Sequence, residues 1–173
     1  MNSIFINYRI DDTSGYAGRL HDELCVHFDK TEVFYDKRIQ GGSYWSRDIE
    51  NALDQCCVLL SLIGSRWQTP RLNDPADYVR REIATAIRRG VRIIPVLLQK
   101  SSLPRKENLP SDITGLLDRQ GVEILDEDWL NGVLRLLDSI EATNGIPKPK
   151  KFGGWGIYLS CGLYPMVGQK WRR

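Results

Sequence analysis

Residues 56–63, CCVLLSLI, are the most continuously apolar run in the chain. A strand wetted on one face alternates apolar and polar side chains, so an unbroken run belongs to a strand covered on both faces, which is the position of a central strand in a parallel sheet. Such a sheet needs helical crossovers between its strands. The stretch DYVRREIATAIRRGVRIIPVLL (77–98) has that form, a helix feeding through a glycine turn into a second buried strand. At about 100° of rotation per residue, Val79, Ile83, Ala86 and Ile87 make one apolar stripe, and Arg80, Arg81 and Arg88 are expected to point away from it. Glu82 sits on the stripe's margin. Its neighbours at i±3 and i±4 are Tyr78, Val79, Thr85 and Ala86, so no flanking arginine pairs with it along the helix. A carboxylate so placed faces a cleft or takes a tertiary partner.

The remaining pattern repeats the same unit. Residues 3–8, SIFINY, read as a strand buried on both faces, and Asp12 or Thr13 is placed to cap a helix whose core face is Tyr16, Leu20, Leu24 and Phe28. Residues 32–36, EVFYD, are a second strand, followed by a polar loop with paired glycines, Gly41 and Gly42, and a helix carrying Trp45, Ile49, Ala52 and Leu53. Residues 64–76 read as a loop broken by Pro70 and Pro75. Pro95 in the fourth strand predicts a distortion or a peripheral place in the sheet. A weak fifth strand over 121–125 precedes a helix over about 128–140, with Leu130, Val133, Leu134 and Leu137 inward. Strand and helix in alternation specify an α/β fold, most simply a flavodoxin-like five-stranded parallel sheet of order 2-1-3-4-5 with helices on both faces. Its switch point lies between the first and third strands. Arg9, Asp11, Asp12, Asp36 and Arg38 are thereby expected on one rim, beside the carboxyl ends of those strands.

Composition narrows the class. With 42% hydrophobic and 27% charged residues and a net charge of +2, the chain reads as an ordinary globular domain with no footprint for direct nucleic-acid binding. Four cysteines, of which Cys56 and Cys57 are adjacent inside an apolar run, make no extracellular disulfide framework and read as reduced core residues, which points to a cytoplasmic location. The start of the chain runs from Met1 straight into a strand and shows no signal-peptide pattern. His21 and His27 lack a metal-ligand pattern, so no metal is expected.

The motifs IFINYRIDD (4–12), VFYDKRIQGGSYWSRDIENAL (33–53), CCVLLSLIGSRW (56–67) and DYVRREIATAIRRGVRIIPVLL, in this order and spacing, resemble a Toll/interleukin-1 receptor (TIR) domain of the bacterial type over roughly residues 3–142. The domain is accordingly expected over residues 1–144. The resemblance implies cleavage of the bond between nicotinamide and ribose in NAD, with Glu82 at the position of the family's essential glutamate. It implies NAD as substrate and no separate cofactor. An aromatic residue four places earlier contributes to substrate binding in the family. Here it is Tyr78, where bacterial members often carry Trp. Lys37, Arg38, Ile39, Gln40, Gly41 and Gly42 correspond to the family's BB loop, which gates the pocket and joins one TIR domain to another, so other copies are expected partners. The candidates for substrate binding are Tyr8, Trp45 and Tyr78 as stacking rings, Arg9 and Arg38 toward the pyrophosphate, and Asp36 on the same rim.

The chemistry of one carboxylate suits that reaction. Nicotinamide leaves with its bonding pair from a cationic ring, so no acid must protonate it, and the ribose develops oxocarbenium character that a carboxylate stabilises. The product, ADP-ribose or a cyclised isomer, depends on whether water or the adenine ring reaches the ribose first. A role in bacterial antiphage defence follows from the resemblance. Two alternatives belong to other classes: a catalytically silent adaptor acting through TIR–TIR association, and a nucleoside-processing transferase on a similar sheet. After residue 144 the chain changes to a basic, proline-bearing linker, IPKPKK, and a glycine-rich aromatic tail to residue 173. The tail is too short and too rich in glycine for a membrane span, and reads as a docked strand or hairpin or the start of a further module.

Overall fold

A computed structural model describes residues 3–35 and 55–143. Asp36, the BB-loop residues with Arg38, Trp45 and its helix, and the tail over 145–173 lie outside the described residues.

Five strands, Ser3–Asn7 (β1), Val33–Tyr35 (β2), Cys56–Ile63 (β3), Arg92–Leu98 (β4) and Val122–Ile124 (β5), form one sheet in the order β2-β1-β3-β4-β5. Every neighbouring pair is parallel, so the flavodoxin-like order read from the sequence is the observed one. The described helices are Ile10–His27 (α1), Tyr78–Arg88 (α2) and Trp129–Glu141 (α3). β1 is buried at every position and β3 at all but Cys57, as their unbroken apolar runs require.

Alternation along the strands sorts their side chains into two cores. Ile4, Ile6, Val58, Leu60 and Leu62 pack with Leu20 and Leu24 of α1 and Val133 and Leu137 of α3. Phe5, Leu59, Ile63 and Ile93 pack with Val79, Ile83 and Ala86 of α2. The register pairs Asn7 with Ser61, which puts these two polar residues side by side on the α2 face.

Three local expectations are corrected. β4 is interior, hydrogen-bonded to β3 and β5, although it contains Pro95. The carbonyl of Pro95 faces Gly121, on the β5 side, and a strand residue points its N–H and C=O the same way. The missing N–H therefore falls where the β4–β5 ladder has not begun, since that ladder starts at Val96 and Val122. Asp12 does not cap α1. Arg9 stands at the N-cap with no side-chain cap, the backbone breaks from helical angles at Thr13, and the Asp12 carboxylate instead accepts from the backbone N–H of Gly64 and of Arg66. A Cβ at Gly64 would lie 2.6 Å from that carboxylate, so glycine is what lets α1 approach the end of β3.

In α3 the buried face is Trp129, Gly132, Val133, Leu136, Leu137 and Ile140, with Leu130 and Leu134 only half-buried. Gly132 turns the helix: a Cβ there would lie 2.9 Å from Ile124 Cγ2, so the helix seats against β5 through its glycine and not through Leu130 and Leu134. Arg80 points away from the apolar stripe, as expected, and finds partners there. Its Nε donates to both carboxylate oxygens of Asp112 at 3.1 Å, and its Nη1 donates to the carbonyls of Leu72 and Asn73.

Candidate functional site

Glu82 lies on α2, one turn beyond Tyr78, and is 7% exposed. The tertiary partner that its sequence position called for is Asn7, at the carboxyl end of β1, whose Nδ2 donates to Glu82 Oε2 at 2.7 Å. The same amide nitrogen stands 3.4 Å from the carbonyl of Val79. At the other end of the amide, Ser61 of β3 donates from Oγ to Asn7 Oδ1 at 3.1 Å. Asn7 and Ser61 are fully buried. Three elements thus converge on one carboxylate: two strands at the switch point and the helix that covers them.

The start of α2 is held as firmly. Asp77 is its N-cap and accepts from the backbone N–H of Arg80 at 3.0 Å. Arg9 grips the same carboxylate through both terminal nitrogens, at 3.1 and 3.2 Å, while its Nε donates to the carbonyl of Trp67 at 3.1 Å. Such a two-point guanidinium–carboxylate contact fixes both groups in direction as well as distance. Both side chains are buried, and Arg9, which also lines a neighbouring cleft, is committed to Asp77 and to the Trp67 carbonyl.

Above this frame is a cleft of about 350 Å³ lined by Arg9, Ile10, Asp11, Arg71, Tyr78 and Val79, among others. Arg71 donates to Asp11 at 3.3 Å across its mouth. Ile10 and Tyr78, 37% and 38% exposed, stand on the cleft although most large apolar side chains of the described residues are covered. Glu82 is not on the wall of this cleft. Val79, three residues before it on α2, does line the cleft.

The structure brings Arg9, Tyr78 and Glu82 into this one neighbourhood. Tyr8 goes elsewhere: it packs against the core on the α1 face, with its ring 6.2 Å from that of Tyr35. Asp36, Arg38, Trp45, Lys37, Ile39, Gln40, Gly41 and Gly42 lie outside the described residues. Three residues were given no role by sequence reasoning, namely Asn7, Ser61 and Asp77. A signal for the first two was present, since each is a polar residue interrupting an apolar strand at a position of the same parity as Phe5 and Leu59. The thiol of buried Cys56 is pushed up to about 12 by desolvation, which leaves it without nucleophilic thiolate at neutral pH. Among the described residues no cluster of His, Cys, Asp and Glu is arranged to hold a metal ion, and no helix is long and apolar enough to cross a membrane.

The family model for the TIR domain matches residues 4–137. The chain belongs to the TIR domain family. Among solved structures, this TIR domain is similar to the TIR domains of the activated Roq1 resistosome, described as directly recognizing the pathogen effector XopQ, with a TM-score of 0.58 and 13% identity over 80% of this chain and 98% of that one. A CMP N-glycosidase, BcmB, of Clostridium botulinum aligns with a TM-score of 0.46 and 16% identity over 79% of this chain and 97% of that one. The likeness to the Roq1 TIR domains is one of fold.

Proposed function

We propose that this TIR domain, taken as residues 1–144, is an NAD glycohydrolase in which Glu82 stabilises the transition state. The observation that carries the reading is a buried carboxylate, oriented by Asn7 at the switch point of the sheet, one helical turn from an exposed tyrosine on a cleft. In the reaction the bond between C1′ of ribose and the nicotinamide nitrogen breaks, and its electron pair leaves with neutral nicotinamide. Water adds to C1′ and releases a proton, giving ADP-ribose. In the cyclising alternative an adenine nitrogen takes the place of water.

A carboxylate beside the ribose offsets the positive charge that develops at C1′. Tyr78 supplies a ring face for an aromatic part of the substrate. Arg9, with three nitrogens committed to Asp77 and Trp67, serves this reading as a residue that positions α2, and the pyrophosphate falls to Arg38. Because Glu82 is not among the residues that line this cleft, the reading requires the cleft to extend toward it when substrate binds. Association with further copies of the chain through residues 37–42 is the proposed means. Roq1 TIR domains occur in an assembly, the resistosome, which supports that part. Consumption of NAD on assembly suits a cytoplasmic antiphage response.

The test is nicotinamide release from NAD by the purified chain, at high protein concentration with a crowding agent, beside Glu82→Gln. The variant should lose at least ~10²–10³-fold in rate, the scale of one oriented transition-state contact, with its melting temperature preserved. Chromatography of the products then separates ADP-ribose from a cyclised isomer. Release from neither protein, with self-association intact, gives the adaptor reading instead.

A further inference from the structure

Two fully buried polar residues, Asn7 and Ser61, sit where the neighbouring positions on the same strand face are Phe5, Leu59 and Ile63. Burying a hydroxyl or an amide in an apolar core is costly unless it is hydrogen-bonded, and apolar residues of similar shape in the same places would be no less stable. Stability therefore does not account for the pair. Their hydrogen bonds run in one line, from Ser61 Oγ to Asn7 Oδ1 and from Asn7 Nδ2 to Glu82 Oε2.

The direction of that line is set by chemistry. An amide has two ends of nearly the same shape, one accepting and one donating. The end of Asn7 that faces Glu82 also faces the carbonyl of Val79. Two acceptors at one end demand the NH₂ there, and reversing the amide would press Oδ1 against a carboxylate oxygen. The Ser61 hydroxyl donates to the far end and so favours the same orientation.

We infer that Ser61 and Asn7 are positioning residues for Glu82, a two-step hydrogen-bond relay that aims its carboxylate at the reacting ribose by holding Oε2 in place. The inference rests on the NAD reading for its purpose but not for its geometry. Asn7 supplies a charge-assisted hydrogen bond that stops the carboxylate from turning. Ser61 acts one bond further back, by keeping the donating end of the amide toward Glu82. A side chain whose orientation is fixed in this way needs no reorganisation as charge develops, which is where such contacts gain their effect.

The discriminating pair is Ser61→Thr against Ser61→Val, which have the same shape and differ by the hydroxyl. The Thr variant should keep kcat for nicotinamide release within about twofold, while the Val variant should lose about tenfold, the equivalent of one net hydrogen bond, with KM nearly unchanged in both. Asn7→Leu should lose on the order of a hundredfold in kcat, again without a matching rise in KM. Equal rates for Thr and Val, in proteins of equal melting temperature, would overturn the relay and leave the enzyme reading standing. The second readout needs no activity. The side-chain amide protons of Asn7, followed by NMR in uniformly ¹⁵N-labelled protein, should be shifted downfield and protected from exchange in the wild type and in Ser61→Thr, and should lose both properties in Ser61→Val. Unchanged amide signals in Ser61→Val would also overturn the relay. A wild type without NAD turnover but with this amide signature removes the enzyme reading and keeps the relay as a holder of the Glu82 carboxylate.

Discussion

On the face of the sheet that carries α1 and α3, Ile4, Ile6, Val58, Leu60 and Leu62 meet Leu20, Leu24, Val133 and Leu137, and the core there is built from apolar side chains. On the opposite face the same two central strands contribute Asn7 and Ser61 beside Phe5 and Leu59, and the helix that covers them buries Glu82 among Val79, Ile83 and Ala86. The chain thus carries two cores on one sheet: on one face the strands contribute only apolar side chains, and on the other apolar burial surrounds a line of hydrogen bonds from strand to helix. Burial on the first face tolerates any shape that fills the space, within the limits of packing. On the second face every polar group is useful only if its partner is also present, because a buried group left alone costs more than its bond contributed. On the α2 face that dependence falls on Asn7, Ser61 and Glu82, the residues of the proposed site. The line of hydrogen bonds lies toward the carboxyl ends of β1 and β3, where this topology leaves a crevice.

The comparison can be broken most directly at Arg9. Arg9→Met removes one partner of a buried ion pair and leaves the Asp77 carboxylate, whose side chain is 8% exposed, without its cation. The expected loss of stability is about 3–5 kcal/mol, read from urea unfolding. An unchanged midpoint would mean that the α2 face does not depend on its polar partners. On the apolar face, Leu60→Ala should cost about 2–5 kcal/mol by opening a cavity in the core, while nicotinamide release per folded molecule stays at the wild-type rate. A fall in that rate would show that the two faces are coupled through the sheet. Smaller again is Gly132→Ala, where the new Cβ meets Ile124 at 2.9 Å, and overpacking of about 1–3 kcal/mol should lower the melting temperature without any change at Glu82.

The smallest effect sharpens the contrast between buried and exposed hydrogen bonds. Tyr16 donates to Asp126 Oδ2 at 2.7 Å at the surface, beside Trp129, and Tyr16→Phe should cost less than about 1 kcal/mol. The phenol's pKa is raised above its ordinary value, first by that hydrogen bond and then by desolvation. The folded state therefore binds the phenolic proton more tightly than the unfolded chain does. The contribution of Tyr16 is complete below the ordinary tyrosine range and is lost as pH rises through the raised value. Unfolding midpoints of wild type and Tyr16→Phe should differ slightly at neutral pH and converge in alkali.

Much of this was legible in the chain. The unbroken run at 56–63 marked a central strand because only a strand covered on both faces can be apolar throughout. Glu82 stood out because no arginine was within helical reach of it, and the structure supplies the tertiary partner in Asn7. What was misread has a common cause. Asp12 looked like a helix cap because sequence spacing describes neighbours along the chain, whereas its partners, Gly64 and Arg66, come from elsewhere. The tie between Arg9 and Asp77 was unreadable for the same reason, since Asp77 is far away in sequence. Pro95 looked peripheral because the rule for proline concerns the ladder and not the strand, and only the late start of β5 shows that no ladder bond is lost.

By itself the sequence determined the alternation of strand and helix, the parallel sheet and which side chains share a strand face, because these depend on the periods of the backbone and on the apolar pattern written along it. Tertiary structure alone decided that Asn7 and Ser61 stand side by side, that the Asn7 amide meets Glu82, and that Val79 rather than Glu82 lines the described cleft. Strand register and helix docking are settled by the whole core at once, and hydrogen bonds between residues so far apart in the chain exist only after that core has formed.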